Sequence, residues 1–554
     1  MSWASAAPRG GGAVTALVAL IAGAGGAHGQ SVPVTPDTLP GRFAGDGTVI
    51  GLEYALLDNP RVLAGMAEAF AATGLTGMKH HVEAVQWGEM QSGPDEDIDF
   101  EKLDGFVREY QRRGFTELTV SLRPHSRWAS KDVRALTSTN GSPKPEYEGL
   151  FREWVSAVVE RYDADGVDDL EGLRWPVRYV EIGNELSSYQ PEPVGEYLRT
   201  LEIAYEAAHA AYPDVLIGHA AFLFAPVGME IADPSAPDDE LTAAWDEAWA
   251  NTPRVDNHHD LDDMRAILDR PDIFDFINFH NLGEPYEIEH VMRWIGHETA
   301  SRGYEKPVVI SDTTPTSYIG WGAADRCTGA GLGLLGSPAT REDRCRLAEF
   351  FTRLLERDAE TLAWTRGFVA ADHVQRVIIA AERGVRLINL AFVTDIPWLT
   401  MPAMHAGAGI AAWGGAIRIN PWTGRVLDRY PPFHAIRQLM THVAGHTAVE
   451  RVPHDEADVR IYRVAREDGP VAVAWLDPGR ALTPDMPAAS RGVALDLVAL
   501  GLDARVVEIE PVITEMGRSE ATGTTQRASD GAVEVELTHA PVYITARGAS
   551  RSGG

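Results

Sequence analysis

The sequence predicts an α/β protein, a (β/α)8 TIM barrel with a C-terminal β-sandwich domain. Strand-like runs alternate eight times with helical ones between Gly47 and about Phe392, and eight such units close naturally into a barrel around a parallel sheet. Past Thr447 the pattern gives way to short β-rich runs separated by turn residues, as in a sandwich. At 554 residues the chain is also too long for one compact core. A doubly wound open sheet is the main rival. It would carry a Gly-rich phosphate loop after an early strand, whereas Gly45-Asp46-Gly47 precedes the first one.

Residues 1–29 read as a signal peptide. Arg9 supplies a positive start, Gly12 to Ala24 are small and apolar, and Ala27-His28-Gly29 offers a small-x-small cleavage site. The mature protein then begins near Gln30 and is secreted or periplasmic. The barrel is expected over 30–445. Its strands are Val49–Tyr54, Gly77–His81, Leu118–Leu122, Arg178–Ile182, Val215–His219, Phe274–Phe279, Val308–Ser311 and Arg386–Phe392. Helical spacing is clear in Phe151, Trp154, Val158 and Tyr162, and again in Leu198, Leu201, Tyr205 and Ala208. Long connections follow the fifth strand (Phe222 to Asp272), the seventh (Thr313 to about Ala371) and the eighth (Pro397 to Pro432), as loops that wall a site do. Pro431 to His442 forms the last barrel helix. A sandwich over 446–548 takes Val459–Val464, Val471–Trp475, Val493–Val498, Val506–Ile509, Val533–Leu537 and Val542–Thr545 as strands, and 549–554 is a disordered Gly/Ser/Arg tail.

Charge narrows the partners. A formal net charge of −31 argues against nucleic acid, whose main affinity term is cation–phosphate attraction, and against anionic membrane surfaces. No stretch after the leader is apolar for long enough to span a bilayer. Only five of the 49 basic residues are lysine, a composition that suits a salty milieu, although a high-GC genome favours arginine as well. Cys327 and Cys345 are too few to form a tetrahedral metal site alone. In an oxidising compartment they form a disulfide, with a pair of buried thiols as the alternative.

The C-terminal ends of the barrel strands are where such a fold places its chemistry. They are polar here. The second ends in Lys79-His80-His81 and leads to Trp87, and the third in Arg123-Pro124-His125 with Trp128 close behind. The fourth ends in Asn184-Glu185, the sixth in His280-Asn281, and the seventh in Ser311-Asp312-Thr313. The eighth runs out to Asp395 and Trp398. Any one of these alone is more ordinary as packing or as a solvated loop. Together, carboxylates, histidines, an amide and tryptophans on one rim point to carbohydrate, because indole faces stack on sugar rings and carboxylates cleave glycosidic bonds. The acid-rich stretch Asp256–Asp263 has no recognisable metal-ligand spacing and precedes a helix, where Asp residues cap. The Asp163–Asp169 turn is a comparable calcium candidate.

At these residues the chain resembles the retaining (β/α)8 glycoside hydrolases of clan A, with β-xylosidase-like and cellulase-like members nearest. Glu181-Ile-Gly-Asn184-Glu185, Trp87 followed by Asp99-Phe100-Glu101-Lys102-Leu103-Asp104, Phe276–His280, Pro431–Leu439 and Ala540–Ile544 carry the resemblance, which covers roughly Gly47 to Ala546. It implies a secreted glycosidase acting on β-linked glycosides or oligosaccharides. Glu185 would be the acid/base, and Asn184 would bond the sugar 2-hydroxyl. His125 and His280 would position Asp312 or the sugar, and Trp398 would floor the site. Glu181 lies within its strand and reads as an internal acid. The two-carboxylate mechanism calls for no cofactor and no metal.

The resemblance places a glutamate nucleophile where this chain has Asp312. Retaining enzymes hold their two carboxyls about 5–5.5 Å apart and inverting ones about 6.5–9.5 Å. Losing one methylene retracts the carboxylate by roughly 1–1.5 Å. Three outcomes are open: the backbone advances and retention survives, the gap admits water and Asp312 acts as a general base, or a degenerate, weakly active or inactive sugar-binding protein remains.

Overall fold

The computed structural model describes residues 47–81, 85–131, 141–186, 192–224, 236–251, 259–315, 341–396, 410–479 and 482–547. The expected leader, Cys327 and therefore its pairing with Cys345, Trp398 and the 549–554 tail all lie outside the described residues.

Eight parallel strands close into a barrel in sequence order: β1 (Val49–Ala55), β2 (Gly77–His80), β3 (Glu117–Leu122), β4 (Tyr179–Glu185), β5 (Leu216–Leu223), β6 (Ile277–Asn281), β7 (Val308–Thr313) and β8 (Leu387–Leu390). β1 pairs with both β2 and β8, which completes the closure. The expected barrel is therefore present, and its strand ends differ in an informative way. β4 runs on through Asn184 and Glu185 instead of ending at Ile182, because Gly183 adopts φ +96° and lets a bulge form opposite β5. β5 continues past His219 through the buried run Ala220 to Leu223. Such strands, covered on both faces, read as unbroken apolar segments without alternation.

Ten helices of eight residues or more are present among the described residues: α1 (Pro60–Ala71), α2 (Glu101–Gln111), α3 (Glu148–Glu160), α4 (Val194–Ala211), α5 (Asp238–Asn251), α6 (Leu261–Leu268), α7 (Glu287–Ser301), α8 (Arg341–Leu355), α9 (Ala359–Glu382) and α10 (Pro431–Val443). α1 shows how the sequence starts a helix. Asn59 Oδ1 accepts from the N–H groups of Arg61 and Val62, Pro60 occupies the first turn, and Val62, Leu63, Met66 and Phe70 form the buried face. Asp260 caps α6 through the N–H groups of Asp262 and Asp263. That gives part of the acid-rich Asp256–Asp263 stretch a structural role.

A short hairpin, β9 (Ile417–Ile419) and β10 (Val426–Arg429), precedes α10. The sandwich follows, with a sheet ordered β11 (His446–Arg451), β12 (Val459–Arg466), β13 (Val471–Leu476), β18 (Val542–Ala546), β15 (Val506–Pro511) and β16 (Thr524–Arg527), and a pair β14 (Arg491–Asp496) with β17 (Ala532–Leu537). β11 and β16 were not expected from the sequence. Both are largely exposed, so neither carries an apolar run to read. The central strands alternate strictly between two cores. Val471, Val473 and Trp475 of β13 join the barrel core, whereas Ala472, Ala474 and Leu476 pack against β14 and β17.

Candidate active site

The barrel interior is built in layers. At the bottom Tyr179, Phe276, Val309 and Leu387 form an apolar plug. Above it the strands carry small residues: a Cβ on Gly51 would meet Asn389 Oδ1 at 2.2 Å, and one on Gly218 would strike the Phe276 ring at 2.2 Å. Two residues further along β1, β2 and β4, from Gly51, Gly77 and Tyr179, the side chains turn charged, since i and i+2 share a face. Glu53 of β1, Lys79 of β2 and Glu181 of β4 meet there, all buried. Lys79 Nζ lies 3.0 Å from Glu181 Oε2 and 3.7 Å from Glu53 Oε1. The reading of Glu181 as an internal acid agrees with this position.

At the C-terminal rim the ladder slips in every strand that carries a reactive group. Register shifts occur between Leu52 and Ala55 of β1, between Ile182 and Glu185 of β4, and between Ile310 and Thr313 of β7. Opposite β6, residue Ser311 is extra, so that His280 pairs with Asp312. A bulge re-aims the residues that follow it and breaks the strict in–out alternation. Ser311 and Asp312 can therefore both serve the same site.

One carboxylate oxygen of Glu185, one ring nitrogen of His280 and one carboxylate oxygen of Asp312 lie within 4.8 Å of one another. His280 Nδ1 is 3.1 Å from Glu185 Oε1, and its Nε2 is 3.0 Å from Ser311 Oγ. Ser311 Oγ in turn accepts from Lys79 Nζ at 3.4 Å. Lysine only donates, so Ser311 Oγ accepts from Lys79, and the two His280 ring nitrogens link this pair to Glu185. Asn184, buried beside Glu185, has an Oδ1 that no donor reaches among the described residues. β4 is braced from outside by Tyr197 of α4, whose hydroxyl donates to Ile182 O at 2.8 Å and accepts from Ala220 N at 2.5 Å. β6 and β7 are braced by the buried Arg376 of α9, which donates to Thr313 Oγ1 at 2.8 Å and to Asn281.

Burial raises the Asp312 pKa, and the Glu185 charge adds to the rise. His280, Lys79 and a hydrogen bond from Glu53 pull it back down. Glu53 is pushed well above the usual carboxylate range, by burial first and by Asp312 next. Lys79 stays charged: its burial opposes the charge, but Glu181, Glu53 and Asp312 outweigh it and raise its pKa.

The structure thus brings together Glu185, Asp312, Asn184 and His280 of the residues expected from sequence. His280 bridges Glu185 and Ser311. His125 sits just beyond β3, where its carbonyl accepts from Gly88 N at 2.9 Å. Trp128 is half-buried in an aromatic cluster, edge-on to Trp87 and to Tyr147, with its indole N–H donated to Gln91 O at 2.9 Å. Asp395 is paired with Arg366 at 2.8 Å. Glu53 escaped the sequence reading. Its signal was present, a lone acid inside the apolar strand Val49–Ala55.

Glu185, His280 and Asp312 have the composition of a metal triad, yet both His280 nitrogens are already bonded, to Glu185 and Ser311. The acids of the Asp163–Asp169 turn are occupied in shaping it: Asp163 accepts from Asp165 N, Asp165 from Val167 N, and Asp169 from Ala164 N and Gly166 N.

No protein-family profile matches the chain, and no curated protein sequence does. Among solved structures, it is similar in fold to a family 39 glycoside hydrolase from the gut symbiont Bacteroides cellulosilyticus WH2, with TM-score 0.53 and 10% identity over 92% of this chain and 83% of that one. A glucosidase from Croceicoccus marinus matches with TM-score 0.51 and 11% identity over 90% and 96% of the two chains. A GH39 enzyme from Xanthomonas axonopodis pv. citri matches with TM-score 0.50 and 12% identity over 94% and 98%. In each case the likeness extends over most of both chains.

Proposed function

We propose that this chain is a glycoside hydrolase that cleaves β-linked glycosides or oligosaccharides with retention of configuration. The observation that carries the reading is the Glu185–Asp312 pair on opposite strands of the rim, with carboxylate oxygens within 4.8 Å. Oxygens this close favour the retaining arrangement, whose carboxyls lie about 5–5.5 Å apart, over the inverting one at about 6.5–9.5 Å. The likeness in fold to glycoside hydrolases of family 39 and to a glucosidase supports the same reading.

In the proposed reaction the protonated Glu185 donates to the leaving oxygen while the Asp312 carboxylate attacks the anomeric carbon. The glycosidic C–O bond breaks and a glycosyl ester forms. Glu185, now ionised, removes a proton from water, whose oxygen attacks the same carbon and releases Asp312. His280 Nδ1–H holds Glu185 Oε1, so that Oε2 is the oxygen that carries the transferable proton. The unsatisfied Asn184 Oδ1 is placed to accept from a sugar hydroxyl. Export through the 1–29 leader and a Cys327–Cys345 disulfide complete the proposal, and both rest on the sequence.

A panel of aryl β-glycosides tests the function. Aryl alcohol release is expected from at least one sugar, and Glu185→Gln should slow it by about 10²–10⁴-fold on poor leaving groups. Silence on the whole panel, with activity appearing in Asp312→Glu, would instead identify a sugar-binding relic.

A further inference from the structure

We propose that Glu53 is a positioning residue for Asp312, holding a carboxyl proton and sharing it with the Asp312 carboxylate as a hydrogen bond. This deepens the glycosidase reading and rests on it. Glu53 lies on β1 in the buried charged layer and is 3% exposed. The titratable groups facing it are Lys79 from β2, Glu181 from β4 and Asp312 from β7. Asp312 faces His280 from β6, Lys79, Glu185 from β4 and Glu53 itself. The two carboxyls are close enough to share a hydrogen bond, and among the described residues no donor reaches Glu53 Oε2 or Asp312 Oδ1. Two ionised carboxylates this close repel, and the ammonium near them, Lys79, is shared with Glu181. One proton between them turns that contact into a short, charge-assisted bond.

The surroundings decide which partner holds the proton. Lys79 sits nearer to Glu181 (3.0 Å) than to Glu53 (3.7 Å), so Glu53 has the weaker share of its charge. Asp312 has His280 beside it as well as Lys79. Glu53 is thus the acid and Asp312 the anion. The bond would aim the carboxylate of a short side chain at the anomeric carbon. It would also steady the charge that returns to Asp312 when the glycosyl ester is hydrolysed. The proton stays on Glu53 throughout, and no covalent bond to Glu53 forms.

The test uses the full chain, Glu53→Gln and Glu53→Leu, with dinitrophenyl 2-deoxy-2-fluoro-β-xyloside and the matching glucoside as probes. Labelling of Asp312 is followed by intact-protein mass spectrometry across pH. Dinitrophenolate leaves without a proton, so Glu185 is not needed as the acid in this step, and its charge acts on Asp312 alike in all three proteins. Glu53→Leu should label roughly 100-fold more slowly, the loss typical of one donor to a reacting oxyanion. Glu53→Gln keeps an N–H donor and should lose far less. Wild-type labelling should also fall at alkaline pH as the shared proton is lost, and the Gln variant should not show that fall. Equal labelling by Glu53→Leu and wild type, or one alkaline profile for all three, would overturn the proposal.

Infrared difference spectra of wild type against Glu53→Gln supply a readout that needs no turnover. A protonated-carboxyl C=O band at neutral pH, absent in the variant, is expected. A missing band overturns the shared proton even where labelling succeeds. A band without any labelling by either probe upholds the shared proton and counts against the glycosidase reading.

Discussion

Lys79 shows how much one residue can carry. Its ammonium is fully buried among Glu181, Glu53 and Ser311, where the attraction of the pairs offsets the cost of leaving water only because several partners converge. Replacing it by methionine keeps most of the volume and strands Glu181 as an uncompensated buried charge. Lys79→Met is expected to lower the unfolding free energy by about 3–5 kcal/mol at pH 7, measured by urea denaturation. The loss should shrink at low pH, where the stranded carboxylates can protonate. The same residue shows what sequence reading can reach. Lys79 stood out at the end of an apolar strand, but its partners lie on strands β1, β4 and β7, and no local pattern links them.

At the scale of the element, two histidines stitch neighbouring strands. His80 Nε2 of β2 accepts from Ser121 N of β3 at 3.0 Å, and His219 Nε2 of β5 accepts from Asn278 N of β6 at 3.3 Å. In each ring Nδ1–H donates to the carbonyl of the following residue, at 2.8 Å, which leaves Nε2 as the lone-pair nitrogen. Burial pushes His80 down to about 3 and His219 down to about 4. A folded pKa below the ordinary value means that the unfolded chain binds the proton first. Stability from His219 is then fully present above about pH 6.5 and is lost as pH falls toward 4, a change on the order of 3 kcal/mol. His219→Gln offers an acceptor that does not titrate, so its urea-unfolding free energy should fall less than that of wild type between pH 7 and 4.5. An equal fall would remove His219 from the acid response. Helices and strands of this kind were legible because period and apolarity are local properties. The bulges at Glu53, Glu185 and Asp312 were not, since a bulge is a relation between two strands.

At the scale of the molecule, barrel and sandwich share one core. Phe433, Ile436, Leu439 and Val443 of α10 belong to the same apolar cluster as Tyr462, Val473, Trp475 and Tyr543 of the sandwich. Polar contacts cross the same boundary. Arg460 of β12 pairs with Glu289 of α7 at 3.1 Å and lies 4.6 Å from the Tyr286 ring centre, while Trp475 donates to the Tyr286 hydroxyl at 2.9 Å. Removing the sandwich would bare that apolar face to water. The full chain should therefore unfold in a single calorimetric transition whose calorimetric and van't Hoff enthalpies agree, and a chain ending at Gly445 should aggregate. Two separate transitions would show that the parts are energetically independent.

The linear chain carried the alternation of strands and helices, the change to β-rich runs after Thr447, and the placement of polar residues at strand ends. All of these follow from side-chain period, turn chemistry and burial, which act over a few residues at a time. The distance between Glu185 and Asp312, the turn of His280 toward Glu185 and Ser311, and the pairing of Glu53 with Asp312 came from barrel closure alone. Closure brings β1, β4, β6 and β7 together across long stretches of chain, and the bulges set how far each side chain reaches. A missing methylene at position 312 therefore had no determinate meaning until the strands were in register.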